Sequence, residues 1–384
     1  MPPDGDAMSS SSFDVARGVL ERAIAARIFP AAAVDVGSTA GTLWQEAAGT
    51  LTADSLLAAA IDTPFDLASL TKVLATTTIV MQLMATGRLR LDDRVAAFFE
   101  DWRGADRVSV TVRDLLEHAS GLPARLVDSP PASRREFEYD ICRIALEYEP
   151  RTRSIYSDLG FILLGLIAEQ RGGATLSQQF ADVMARLKPD TTSDSDPGHH
   201  SDPQNVVSGF SRTNLLTFEL DTDLCRRAAP TVAMDDDARR GRTLTGEVHD
   251  NYAAALGGVA GHAGLFGTAP AVGHFARLVL AAARGEERLP PPFTPALVRT
   301  FTTKSSVPAS SRALGWDTML PSSSCGGRMS AAAFGHVGFT GTSLWIDPGR
   351  DRYFVLLTNR AAGGGTLDEM RAVRRAFHDA LGDV

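Results

Sequence analysis

The chain has 384 residues, of which 44% are hydrophobic and 22% charged, with a net charge of -8 and a pI near 5.5. That balance argues against disorder or a coiled coil as the main state, and arginines scattered among acids argue against a nucleic-acid surface. The length leaves room for two or three structural units around a substantial core. Three cysteines, Cys142, Cys225 and Cys325, are far apart and odd in number, so neither a disulfide scaffold nor a zinc cluster is indicated.

The first twelve residues are polar, and the first apolar stretch is amphipathic rather than a continuous signal-peptide core. No segment is long and apolar enough to span a bilayer, so no membrane span is expected. Cytoplasmic residence is the expectation, or periplasmic if a leader has been removed. Residues 13–28 carry Val15, Val19 and Ala23 on one stripe with Ala16, Leu20 and Ile24 beside it, which predicts a helix ending before Pro30. Short strands are expected over 32–36 and 42–48.

Next comes Asp66-Leu67-Ala68-Ser69-Leu70-Thr71-Lys72, running into an apolar segment from Val73 to Met84 that stops at Gly87. Apolar residues cover most of that circumference, so the helix is expected in the middle of the molecule. From about 89 to 305 the pattern is helical pieces and long loops. These include helices over 112–118 and 159–167, a polar loop over 190–205 holding His199 and His200, a glycine-rich run over 257–267, and a helix from a Thr268 cap to Ala283. After 305 strands are expected over 313–319, 333–345 and 353–358, and an amphipathic helix over 367–381 closes the chain.

Strands at both ends with helices between them predict a discontinuous α/β domain, residues 1–75 with 306–384, and a helical domain over 76–305 inserted in it. A cleft between such units is where a site would form.

Ser69 and Lys72 lie one turn apart on the same helix face. A serine hydroxyl is a weak nucleophile until a base takes its proton, and a buried lysine can be part of that base. Only three of the 38 basic residues are lysines, Lys72, Lys188 and Lys304, so a lysine here is a chemical choice in a chain that otherwise uses arginine. Taken alone, the pair also reads as a helix cap followed by a solvated first-turn residue.

In chain order, Ser69-Leu70-Thr71-Lys72, Tyr156-Ser157-Asp158 and His336-Val337-Gly338 resemble the three signature elements of class C β-lactamases and related penicillin-recognising serine hydrolases: Ser-x-x-Lys, Tyr-x-Asn, and Lys-Thr-Gly or His-Thr-Gly. His118-Ala119-Ser120-Gly121-Leu122-Pro123 is similar to a loop of that family, as are residues 338–348 to its third element and 246–250 with 258–266 to a subgroup of β-lactamase-related hydrolases. The resemblance implies an α/β plus α fold, an antiparallel sheet flanked by helices with an inserted helical domain. It also implies an acyl-enzyme on Ser69, general acid-base work by Lys72 and Tyr156, and an oxyanion hole from the Ser69 and Phe339 amides next to Gly338. No cofactor or metal is implied, and the expected partner is a small-molecule acyl substrate.

Two departures bear on the substrate. Asp158 stands where the family has Asn, placing a carboxylate near Lys72; its other reading is a cap for the following helix. Val337 stands for Thr and His336 for Lys, which removes contacts that hold a substrate carboxylate. The expected activity is therefore a carboxylesterase-type hydrolysis of small acyl esters, with a β-lactamase or D-alanyl-D-alanine carboxypeptidase as the alternative and a non-catalytic penicillin-recognising sensor as a third reading. An arginine replacing the missing anion contacts would favour the alternative. His249, Asp250 and His262 read as cleft lining rather than a metal site, because their spacing fits no ligand pattern. The run over 257–267 reads as flexible backbone, and Asn359-Arg360 as a turn with a surface arginine.

Overall fold

The computed structural model describes residues 5–126, 130–187, 215–382 and 384, with side chains from residue 12 onward. The 190–205 loop with His199 and His200 lies outside the described residues.

The labelled elements are α1 (Gly5–Ala25), β1 (Ala31–Ser38), β2 (Gly41–Gly49), α2 (Thr77–Ala85), α3 (Asp158–Gly172), α4 (Ala269–Ala283), β3 (Asp317–Thr318), β4 (Phe334–Val337), β5 (Ser343–Asp347), β6 (Arg352–Thr358) and α5 (Leu367–Ala380). The six strands form one antiparallel sheet in the order β2-β1-β6-β5-β4-β3. Strand β1, from near the start of the chain, pairs with β6, from near its end, Val34 opposite Leu356.

Alternation along β1 divides its side chains between two cores. Ala32, Val34 and Val36 face a layer made by α1 and α5, where Ala16, Leu20, Met370 and Phe377 are buried. Ala31 and Ala33 face α4 and the larger core, which runs on through Leu70, Val73, Leu74 and Val80 to α3. The apolar circumference of the 73–84 segment thus corresponds to a central helix. The sheet packs closely on α4: a Cβ at Gly273 would lie 2.5 Å from the Asp35 carboxyl carbon.

Three expected elements differ. Residues 333–345 form two strands, β4 and β5, because the chain reverses through a turn that contains Gly341 at φ 113°. The strand expected over 313–319 shrinks to Asp317–Thr318. The segment after Ser69 opens with a π-helical turn, Lys72–Thr76, before becoming α-helical.

Candidate active site

Ser69 sits on a turn that the chain strains and then clamps. Ala68 has φ 46°, an uncommon conformation for a residue with a side chain. The Asp66 carboxylate accepts the Ala68 amide at 2.7 Å and the His249 amide at 2.6 Å. Hydroxyls of Thr340, Thr342 and Thr71 donate to the carbonyls of Asp66 (2.7 Å), Leu67 (3.0 Å) and Ala68 (2.6 Å). The end of β4 passes against this same backbone. A Cβ at Gly338 would lie 2.6 Å from the Leu67 oxygen, so glycine is required there.

Lys72 is fully buried, and its ammonium has three acceptors for its three protons: Asp158 Oδ1 at 2.8 Å, the His262 carbonyl at 3.0 Å and Ser69 Oγ at 3.1 Å. Burial pushes its pKa down, but the Asp158 carboxylate, with hydrogen bonding to Asp158 and the Tyr156 oxygen, outweighs that and leaves it raised. The ammonium lies 4.8 Å from the Tyr156 ring centroid. Burial likewise raises the Tyr156 phenol, with Lys72 and Ser69 opposing. The resting pair is therefore an ammonium beside a neutral phenol.

The cap of α3 is Ser157, whose hydroxyl accepts the Gly160 amide. This frees Asp158, one residue on, to pair with Lys72, and the capping reading of Asp158 is corrected. Its other oxygen binds Arg125 Nη1 at 3.1 Å, which also reaches Asp250 Oδ2 at 3.1 Å. Asp250 Oδ1 lies 2.7 Å from His262 Nε2. Burial pushes the Asp250 carboxyl up, but His262 and Arg125 outweigh it and hold it below the usual carboxylate range. Asp158, Asp250 and His262 bring their ligand atoms within 4.8 Å of one another. Both carboxylates are already matched by protein cations, Lys72 and Arg125, so the cluster is organised around side-chain charges.

Ser69, Tyr156, Asp158, His336, Val337, Gly338 and Phe339 line one cavity of about 480 Å³, with His249 and Asp250. Among the described residues neither the Ser69 nor the Phe339 amide donates to a protein acceptor. Such an arrangement can hold an acyl group with its carbonyl oxygen on two amides and a hydroxyl at its carbon. His336 Nδ1 faces the Val337 carbonyl at 2.9 Å, and burial holds its pKa well below the ordinary value, so the ring is neutral. His118, from the loop that resembles the family's, is buried with its ring 4.7 Å from that of Tyr156; its Nδ1 accepts the Ser157 amide at 3.0 Å.

Two further readings need correction. The run over 257–267 is not loose backbone: residues 260–267 are buried, and a Cβ at Gly261 would lie 2.0 Å from the Phe161 oxygen. Arg360 is no surface residue; it is buried against Phe339.

Arg125, Arg312 and Arg374 also line the cavity and escaped the sequence reading. In so arginine-rich a chain nothing in the sequence distinguishes them. Asp66 stood inside the signature stretch, but its carboxylate's grip on the turn depends on φ at Ala68.

A family model, Beta-lactamase, matches residues 17–378. The chain belongs to the β-lactamase family. A Bacillus subtilis (strain 168) protein named "N-acetylmuramyl-L-alanine amidase" is 31% identical over 322 residues, 78% of this chain and 68% of that protein. An Escherichia coli (strain K12) protein named "Putative D-alanyl-D-alanine carboxypeptidase" is 30% identical over 340 residues, 81% of this chain and 72% of its own length. Among solved structures, "A class C beta-lactamase" superposes with a TM-score of 0.72 at 15% identity, covering 98% of each chain. "EstCE1, a hydrolase with promiscuous acyltransferase activity" gives 0.70 at 20%, covering 96% of this chain and 99% of that one. These two show the β-lactamase-like fold. This β-lactamase-family chain is a serine hydrolase, and among its described residues no helix is long and apolar enough to cross a membrane.

Proposed function

We propose that this chain hydrolyses carboxylate-bearing acyl derivatives, of the peptide or amide type, through an acyl-enzyme on Ser69. The observation that carries the mechanism is Lys72 Nζ, buried and held by Asp158, 3.1 Å from Ser69 Oγ. In acylation Ser69 Oγ bonds to the acyl carbon and its proton passes to the Tyr156 phenolate, which the Lys72 ammonium stabilises. The Tyr156 phenol then protonates the departing group. Water, activated by the same phenolate, frees the acid and restores Ser69. The Ser69 and Phe339 amides receive the negative oxygen, each worth on the order of a hundredfold in rate.

Arg312 supports the anionic substrate. Its guanidinium lies 5.1 Å from the Tyr156 ring centroid, lines the cavity, and has no acceptor or carboxylate partner among the described residues. Its charge helps to hold the His118 and His336 rings neutral, after burial itself. Arg312, which precedes β3, offers the positive charge that His336 lacks, and the relatives named as a carboxypeptidase and an amidase fit the same substrate type. A second reading, a carboxylesterase for small neutral esters, is favoured by the apolar Val337 on the cavity wall.

The two are separated by comparing p-nitrophenyl acetate, p-nitrophenyl hemisuccinate, a D-alanyl-D-alanine peptide and a chromogenic cephalosporin on wild type and Arg312→Gln. Preference for the carboxylate-bearing substrates, with their KM raised roughly tenfold or more in Arg312→Gln, is the expected result. Equal turnover of the neutral ester and indifference to Arg312 would establish the esterase reading instead.

A further inference from the structure

Two guanidiniums are buried behind the His336-Val337-Gly338 element with no carboxylate to pair them among the described residues. Arg374, on α5, is 6% exposed. Its Nη2 donates to the carbonyls of Gly338 at 2.7 Å and Thr342 at 2.9 Å, and its Nε has no partner among the described residues. Arg360 donates from Nε at 3.1 Å and Nη2 at 2.6 Å to the Phe339 carbonyl, and from Nη1 to Gly365. Burial, with the neighbouring Arg360 charge, pulls the Arg374 pKa down to about 9. A cation kept in such a place is costly, and a neutral donor would tie two carbonyls together equally well.

What the charge faces is informative. The Gly338–Phe339 peptide is trans, since the one cis bond of the described residues is Pro291–Pro292. In a trans peptide the C=O and the N–H of one plane point in opposite directions. The carbonyl that takes Arg374 therefore belongs to the same planar unit as the Phe339 N–H, which has no protein acceptor among the described residues. A hydrogen bond from a cation to that oxygen draws electron density from the amide nitrogen and strengthens its N–H as a donor. The Ala68–Ser69 peptide repeats the pattern: its carbonyl takes the Thr71 hydroxyl at 2.6 Å, and its N–H has no protein acceptor among the described residues.

We infer that Arg374 is a positioning residue that fixes and polarises the Gly338–Phe339 peptide, so that the Phe339 N–H is a stronger donor to an oxyanion than an ordinary amide. This rests on the proposed acyl-enzyme mechanism with Phe339 as an oxyanion donor.

The test uses wild type, Arg374→Gln, Arg374→Lys and Ser69→Ala, assayed with p-nitrophenyl acetate and p-nitrophenyl hemisuccinate and titrated with phenylboronic acid, whose serine adduct is tetrahedral and anionic. Arg374→Gln is expected to lower kcat roughly ten- to a hundredfold on both esters, leave KM within about threefold, and weaken boronate affinity by a similar factor. Arg374→Lys should recover part of each loss. A rise of KM confined to hemisuccinate would make Arg374 a substrate-anion contact and overturn the inference, as would unchanged kcat or unchanged boronate affinity. If near-UV circular dichroism shows Arg374→Gln unfolded, Arg374→Lys decides: reduced kcat and boronate affinity at equal KM support the inference, and wild-type values overturn it. An inactive Ser69→Ala beside a fully active Arg374→Gln defeats the inference alone. A fully active Ser69→Ala defeats the mechanism on which it stands.

Discussion

Asp158 Oδ1 lies 2.8 Å from Lys72 Nζ, and the ammonium that it holds reaches Ser69 Oγ at 3.1 Å. The carboxylate raises the pKa of Lys72 and also that of Tyr156. In the proposed mechanism Lys72 and Tyr156 act as a coupled pair, and its active form is the pair with one proton removed. Wild-type kcat/KM is therefore expected to climb from neutral into alkaline pH. In Asp158→Asn the first proton leaves more easily, and the rising limb moves to lower pH. A kcat/KM profile between pH 6 and 11 checks this; a limb that stays or moves upward contradicts it.

Asp35 is buried in β1, where its carboxylate takes the Tyr353 hydroxyl at 2.8 Å and Gln45 Nε2 at 2.6 Å. Burial dominates these contacts and pushes the carboxyl up to about 6. Between pH 4 and 6 the native state keeps a proton that the unfolded chain has released, so stability falls as pH rises through that window. Asp35→Asn, neutral throughout, is expected to gain about 2 kcal/mol at pH 7.5 relative to wild type and little at pH 4. Urea denaturation at both values measures the difference. Asp66, raised to about 6 by the same cause, adds a second contribution of the same sign.

Gly338→Ala places a Cβ against the Leu67 carbonyl and the Thr342 hydroxyl, at 2.6 and 2.1 Å. The backbone cannot yield without parting β4 from the Ser69 turn. A loss of kcat of roughly a hundredfold or more is expected, with a loss of stability of about 1–3 kcal/mol. Steady-state kinetics and urea denaturation of the variant give both numbers.

The sequence carried those features that depend on local pattern. The central helix was legible because apolar residues surround it from Val73 to Met84, and the α4 boundary because Thr268 precedes a proline-started apolar run. Ser69 and Lys72 could be paired because one helical turn separates them. What escaped depends on backbone conformation or on long-range contact. The turn between β4 and β5 was hidden inside a continuous β-prone run, where Gly341 at φ 113° breaks the pairing. Arg312, Arg374 and Arg125 come from three distant parts of the chain, and their place in the cavity is a property of the fold. Asp158 was legible as a carboxylate near Lys72, but which residue caps α3 is decided by the Ser157 hydroxyl.

In the proposed mechanism, substrate acyl groups pass through Ser69. Intact-mass and peptide-mapping mass spectrometry after rapid acid quench of wild type with p-nitrophenyl hemisuccinate, beside Ser69→Ala, tests it most directly. A succinyl adduct is expected in wild type, confined to the peptide that contains Ser69, and none in the variant. An adduct on another residue, or turnover that survives Ser69→Ala, would contradict it.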